Sequence, residues 1–160
     1  MPVSDPTPLA RALGRIPSGL FVVTTVVEGR RSGFLASFVQ QAGFAPPVLC
    51  VAVGRDRPAL DDLRRSGRFA LSVIDEGSKR LIVPFTRRLA DGQSPFEQLA
   101  VLETPGGQVV LGDALAWVEC RTLGELTAGD HVIVAGEAVA GELRREGDPL
   151  VHLRRNGLAY

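Results

Sequence analysis

Residues Gly33–Val53 read GFLASFVQQAGFAPPVLCVAV. The stretch has an extended segment opened by Gly33, the small pair Ala36-Ser37, paired glutamines Gln40 and Gln41, a stop at Pro46-Pro47, and an apolar strand over Val48–Val53. Immediately upstream, Leu20–Val27 is LFVVTTVV, β-branched and apolar, and the charged turn Glu28-Gly29-Arg30-Arg31 returns the chain into Gly33–Val39. That pattern predicts an antiparallel hairpin. Immediately downstream, PALDDLRRSG (58–67) predicts a helix with Pro58 at its first position and Gly67 as its stop. Asp61 and Asp62 sit near the start of that helix and Arg64 and Arg65 near its end, matching the helix dipole.

Further out, Leu9, Leu13 and Ile16 recur at helical spacing and end at Pro17-Ser18-Gly19, which predicts one short opening helix. Residues 1–7 are proline-rich and are expected to form a flexible N-terminus. Phe69–Ile74 (FALSVI) predicts another strand, and Lys79–Arg88 a helix that Pro84 kinks or divides. Leu89–Gln108, with Gly92, Pro95, Pro105, Gly106 and Gly107, is the longest predicted loop. Two further strands follow over Ala114–Leu123 and His131–Leu143, separated by the turn-like Gly124–Asp130, and a short tail strand is expected over Leu150–Leu153. Strands outnumber helices and are joined mostly by short turns, so the pattern predicts an all-β, antiparallel barrel closed on itself. A doubly wound sheet lacks support: no G-x-G-x-x-G follows a strand, and no G-x-x-x-x-G-K-[ST] loop exists.

The 160 residues suit one domain, expected over residues 8–160. Eighteen Lys plus Arg balance 18 Asp plus Glu, so no global basic field exists to hold nucleic acid or an anionic membrane. Lys79 is the one lysine, and every other cation is arginine, whose planar fork suits phosphate and carboxylate. Cys50 and Cys120 each lie in an apolar strand-like run and are expected to be free, buried thiols. The first residues lack the basic start and apolar core of a leader, and no apolar run reaches the ~18 residues a membrane span needs. A soluble, cytoplasmic protein is expected. No triad or paired-carboxylate site stands out: Asp61-Asp62 reads as helix-start charge, and His131 and His152 are too far apart in sequence to suggest a metal site.

Several segments, in order along nearly the whole chain, resemble the flavin reductase family, the FMN-binding split barrels. They are Ala12–Leu20 (ALGRIPSGL), Gly33–Pro47, Phe69–Ile74, Ala114–Cys120, and Gly129-Asp130-His131 leading to Gly136-Glu137. Gln40-Gln41, Phe44 and the double proline resemble in particular the flavin reductase module fused to flavodiiron proteins. The resemblance implies an antiparallel Greek-key split β-barrel with a few short peripheral helices. It also implies that the Gly33–Gln41 segment lines the isoalloxazine, with contacts from Leu35, Ala36, Ser37, Phe38, Gln40 and Gln41. Small side chains there let backbone donors and acceptors approach the ring edge.

The family grips the flavin phosphate just after the strand matching Val48–Val53, which implies Arg55 and Arg57 together with the N-terminus of the Pro58 helix. Arg87 and Arg88 match a second basic position. His131 matches a histidine near the flavin and the nicotinamide, and the tail His152–Tyr160 matches a segment that packs by the active site or the dimer partner. Departures are Leu35, Phe38 and Val39, where simpler members often read Thr-Ala-Ser-Ser-Phe, and Pro95, where the family usually carries a charge. The implied activity is hydride transfer from NADH or NADPH to FMN, or to FAD in its place, in a homodimer that supplies reduced flavin to an oxygenase or diiron partner. The alternatives are a non-catalytic flavin- or haem-binding split barrel and an electron-transfer subunit that docks to such a partner.

Overall fold

In the computed structural model, which describes residues 5–158, the predicted hairpin is formed by β1 (Phe21–Val27) and β2 (Arg30–Ala36). The chain continues through β3 (Val39–Phe44), β4 (Pro47–Gly54), helix α2 (Pro58–Ser66) and β5 (Arg68–Val73), with a short helix α1 (Pro8–Leu13) ahead of them. A 3₁₀ helix (Glu76–Phe85), the small ribbon of β6 (Val101–Glu103) and β7 (Val109–Leu111), and the long hairpin of β8 (Ala116–Ala128) and β9 (His131–Leu143) complete it. Seven strands form one antiparallel sheet in the order β2-β1-β5-β8-β9-β4-β3. The antiparallel, strand-dominated fold expected from sequence is what forms. As hydrogen-bonded, it is an open sheet with β2 and β3 at its two edges.

Those two edges are neighbours in sequence, because Ser37 and Phe38 alone separate Ala36 from Val39. A sheet whose outermost strands are joined by so short a link must curl. Ala52 N–H of β4 donates to the Phe38 carbonyl at 2.9 Å, which folds the link back onto the sheet.

The core explains the continuous apolar run in β1. Val22 and Val23 point to opposite faces and both are fully buried, one against Ile74, Leu81 and Leu111, the other against Val53, Phe69 and Leu71. A strand covered on both faces does not alternate. Its threonines are buried with their hydroxyls satisfied: Thr25 Oγ1 donates to the Arg68 carbonyl at 2.7 Å, and Thr24 Oγ1 to that of Val109. Gly136 on β9 makes room for Phe69, since a Cβ there would stand 2.6 Å from its ring and 2.8 Å from Cys120 Cβ.

Several elements differ from the sequence reading. β3 was not expected as a separate strand: it is an edge with Gln40, Gln41, Ala42 and Phe44 exposed, so it carries no apolar alternation. Gly124–Ala128 continues β8, and only Gly129-Asp130 turns, with Gly129 at φ +63°. The helix expected over 79–88 is a 3₁₀ helix that begins at Glu76 and contains Pro84. The predicted loop 89–108 holds β6, and the predicted tail strand is reduced to bridges between Ser18 and His152 and between Asp75 and Pro149. Thr7 caps α1, its hydroxyl accepting from Ala10 N–H at 3.2 Å, and residues 1–4 lie outside the described residues.

Asp62 is more than helix-start charge. It is buried, and Arg30 Nη2 donates to it at 2.5 Å, tying α2 to β2. Burial alone would raise its carboxyl, but hydrogen bonds from Arg30 and Ser32 outweigh that and hold it below the ordinary range.

Asp75 is the second buried carboxylate knot. It caps the 3₁₀ helix by accepting from Ser78 N–H at 2.8 Å, and Arg145 Nη2 reaches its two oxygens at 2.7 and 2.8 Å. The Ser78 bond, assisted by Arg145 and opposed by burial, keeps its carboxyl below the usual range. A depressed carboxylate stabilises the fold fully above its unfolded value of about 3.9, and that contribution is lost as pH falls through the lower folded value. Asp75→Ala is therefore expected to cost about 1–3 kcal/mol at neutral pH. Urea unfolding at a series of pH values should also show a shallower acid limb below about pH 4; an acid limb as steep as that of the parent chain would contradict this role.

Candidate functional site

A cavity of about 660 Å³ opens where the end of β2, the end of β4, the start of β9 and the tail converge. Strand register brings these parts together. Gly54 pairs with His131, and Arg55 N–H donates to the Asp130 carbonyl at 3.0 Å, so the β4–α2 turn sits beside the β8–β9 hairpin. Leu35, Ala36 and Ser37 form one wall, with Ala36 and Ser37 each 7% exposed. Ala52, Val53 and Gly54 form another, and Leu153 to Asn156 of the tail close a third side.

Ser37 Oγ accepts from Arg154 Nη1 at 3.2 Å. The same guanidinium lies over the Phe38 ring, 4.2 Å from its centroid, a cation–π contact. Phe38 also meets the His131 ring edge-on, with centroids 5.5 Å apart and planes at 78°. Arg154 Nε is buried with no hydrogen-bond partner among the described residues. His131 Nδ1 lies 2.7 Å from Asp130 Oδ1, and that contact holds the Asp130 carboxyl below its ordinary range. With Nδ1 so engaged, Nε2 is the ring nitrogen left for a ligand.

Arg57 is the N-cap residue of α2, has an extended backbone and makes no capping bond with its side chain. It lines the main cavity and also an adjoining groove of about 690 Å³, which contains Arg87.

Of the residues singled out from sequence, Leu35, Ala36, Ser37, Arg57 and His131 therefore come together in one cavity. Phe38 and Gln40 instead line a smaller cavity of about 450 Å³ that shares Ser37, Ala52 and Arg154 with the main one. Gln41 is exposed and donates its amide to the Gly43 carbonyl at 3.2 Å. Arg55 reaches toward the Gly129 carbonyl at 3.5 Å, outside the main cavity, and Arg88 is exposed and also outside it. Phe34, Phe85 and Thr86 line the cavity without having been singled out. Only the placement of the 3₁₀ helix across the β2 edge brings the last two there. Of the tail segment 152–160, residues 159 and 160 lie outside the described residues, and His152–Asn156 is at the site.

The lining suits a flat heteroaromatic ligand with an anionic arm. Most of its surface is apolar, and Arg154 Nε, His131 Nε2 and the Arg57 guanidinium are among its polar groups without a hydrogen-bond partner among the described residues. A volume of this size and a few fixed polar groups are what small-ligand sites offer. Flavin has that chemistry, a tricycle with polar edges carrying a phosphate, and the residues present fit it.

The comparisons agree. A putative diflavin flavoprotein A 3 from a Nostoc species is 37% identical over 155 residues, covering 95% of this chain but only 27% of that protein. Among solved structures, the flavin reductase PheA2 is 26% identical with a TM-score of 0.79, covering 91% of each chain. A homologue of nitrilotriacetate monooxygenase component B from Mycobacterium thermoresistibile shares the fold, with a TM-score of 0.83 at 23% identity over 92% of this chain and 81% of that one. The profile of the flavin reductase like domain matches residues 13–157, nine-tenths of the sequence, and the chain belongs to that family.

Proposed function

We propose that this chain is an NAD(P)H-dependent flavin oxidoreductase that takes FMN, or FAD in its place, and acts as a single domain from residue 8 onward. The observation that carries the reading is one cavity that unites the small wall Ala36–Ser37 with His131 Nε2 and the Arg57 guanidinium, neither of which has a hydrogen-bond partner among the described residues. When bound, flavin supplies the hydride acceptor and a reduced nicotinamide the donor. The protein's part is to hold two flat rings in register and keep water away from them.

Ala36 and Ser37, being small, let main-chain groups at the end of β2 reach a ring edge. Leu35 and Leu153 supply apolar surface around it. His131 Nε2 offers a hydrogen bond to a polar ring edge or to the carboxamide of a nicotinamide, with Asp130 fixing the imidazole. Arg57, at the N-terminus of α2, provides a guanidinium for the flavin phosphate. Arg154 and its neighbours cover the remaining side.

The wider setting belongs to the same proposal. Reduced flavin would pass to an oxygenase, as the monooxygenase component among the structural relatives suggests, or to a diiron partner. A homodimer is supported by the exposed edge strand β3, whose Phe44 is 88% exposed. A cytoplasmic location fits the two free cysteines, Cys50 and Cys120. No helix among the described residues is long and apolar enough to cross a membrane.

Anaerobic addition of NADH or NADPH to the protein with FMN or FAD should bleach the flavin absorption band. A Soret band in the purified protein, or bound flavin indifferent to both nicotinamides, would instead establish a carrier. A second experiment addresses the phosphate. Arg57→Ala is expected to raise the Kd for FMN about tenfold, in keeping with ~1.5–3 kcal/mol for a charge-assisted bond, and to leave riboflavin nearly unaffected. Equal losses for the two ligands, read by flavin fluorescence titration, would remove Arg57 from the phosphate site.

A further inference from the structure

We infer that Arg154 sets the redox balance of the ring held in the cavity: its cation favours the reduced ring, which is negatively charged, over the neutral oxidised one. The inference rests on the flavin reading above and assigns the site a preference between two states of one ligand.

The charge balance of the reaction makes a cation matter. Two electrons and one proton leave the nicotinamide, which departs carrying one more positive charge, and add to a neutral ring. The ring then bears one negative charge, spread over a nitrogen and its neighbouring carbonyl, until it takes a second proton from water. A positive group fixed in the cavity wall stabilises that anion and leaves the neutral oxidised ring almost untouched.

The wall has the sign this requires. Arg57, Arg154, Arg155, His131 and His152 line the cavity, and no carboxylate among the described residues does. The three arginines differ in place. Arg57 stands at the start of α2, where the phosphate is assigned, and Arg155 is exposed. Arg154 is the one set against the Ser37–Phe38 link, with Nη1 donating to Ser37 Oγ at 3.2 Å and the guanidinium 4.2 Å from the Phe38 ring centroid. It meets no carboxylate among the described residues, so the protein does not neutralise its charge. Its Nε is buried without a partner. A buried donor is costly unless an acceptor answers it, and a negatively charged ring edge is such an acceptor.

The backbone on either side of Arg154 holds that charge in position. Ser18 and His152 exchange N–H to carbonyl bonds of 3.1 and 2.7 Å, and Gly157 N–H donates to the Ala10 carbonyl of α1 at 2.9 Å. Gly14 admits the Arg154 carbonyl so closely to the end of α1 that a Cβ there would stand 2.5 Å from it. A charge placed by the fold before the ring is reduced needs no rearrangement when reduction occurs.

The test is the midpoint potential of bound FMN, measured anaerobically by dye equilibration over a series of pH values, for the intact chain, Arg154→Met and Arg154→Lys. Unliganded melting temperatures control for folding. The intact chain is expected to bind reduced FMN about tenfold tighter than oxidised FMN, which places the bound potential about 30 mV above that of free FMN. Arg154→Met should remove that difference, and Arg154→Lys, which keeps the charge and loses the fork, should retain most of it. The slope of potential against pH halves where the reduced ring loses its second proton, and Arg154→Met should move that break upward by about one pH unit. His131, His152, Arg57 and Arg155 are common to all three chains, so their influence cancels in the comparison.

A potential in Arg154→Met equal to that of the intact chain, with FMN still bound, would overturn the assignment and leave the flavin reading standing. Equal falls in Arg154→Met and Arg154→Lys would overturn it as well, tracing the effect to the hydrogen bond with Ser37 instead of the charge. Where Arg154→Met does not hold FMN, a bound potential in the intact chain no higher than that of free FMN is the overturning result. Failure of the intact chain to bind FMN in either redox state would overturn the flavin reading itself.

Discussion

The link Ser37–Phe38 is the constraint on which the site depends. It joins the two edge strands of a seven-stranded sheet in two residues, so the sheet cannot lie flat and its first and last strands must approach one another. The backbone is held there by the Ala52 N–H to Phe38 carbonyl bond. The side chains are held by Arg154, which donates to Ser37 Oγ and lies over the Phe38 ring, and by the edge of His131. β2, β4, β9 and the tail therefore meet around one short segment, and the cavity is the space left between them. Small residues at Ala36 and Ser37 keep that space open where a larger pair would fill it.

Much of this was legible in the sequence because the informative segments are local. The hairpin 20–36, the strand after the double proline and helix α2 all carry their start and stop signals within a few residues. Strand segments whose own composition is polar or glycine-bearing were harder to read, even where their partner is the next strand in sequence. β3 is polar because one of its sides is unpaired and its side chains are exposed, so nothing in QQAGF marks a strand. Gly124–Ala128 reads as a turn on composition, yet its backbone is paired with His131–Ala135, a partner that lies beyond the turn.

The site divides along the same line. Leu35, Ala36, Ser37, Arg57 and His131 reach the cavity because each lies at the end of a strand or the start of a helix whose position local signals fix. Arg55 and Arg57 are two residues apart and equally basic, but only the turn geometry decides that one faces the Gly129 carbonyl and the other the cavity. Phe85 and Thr86 depend on where the 3₁₀ helix lands. Arg154 depends on the Ser18–His152 bridge, which spans most of the chain.

Electrostatics shows why composition alone understates such a molecule. Equal counts of acids and bases correctly exclude a global field, but they do not describe how the charges are distributed. Burial and packing decide which guanidiniums find carboxylates. Arg68 finds the buried Glu119, and Arg145 finds the buried Asp75, because leaving either carboxylate unpaired in the interior would be costly. Arg30 likewise meets the buried Asp62, but Arg57, Arg87 and Arg155, which line the cavities, meet no carboxylate among the described residues. They remain available to an anion that arrives from outside, so a neutral chain presents a positive site without becoming a general binder of polyanions.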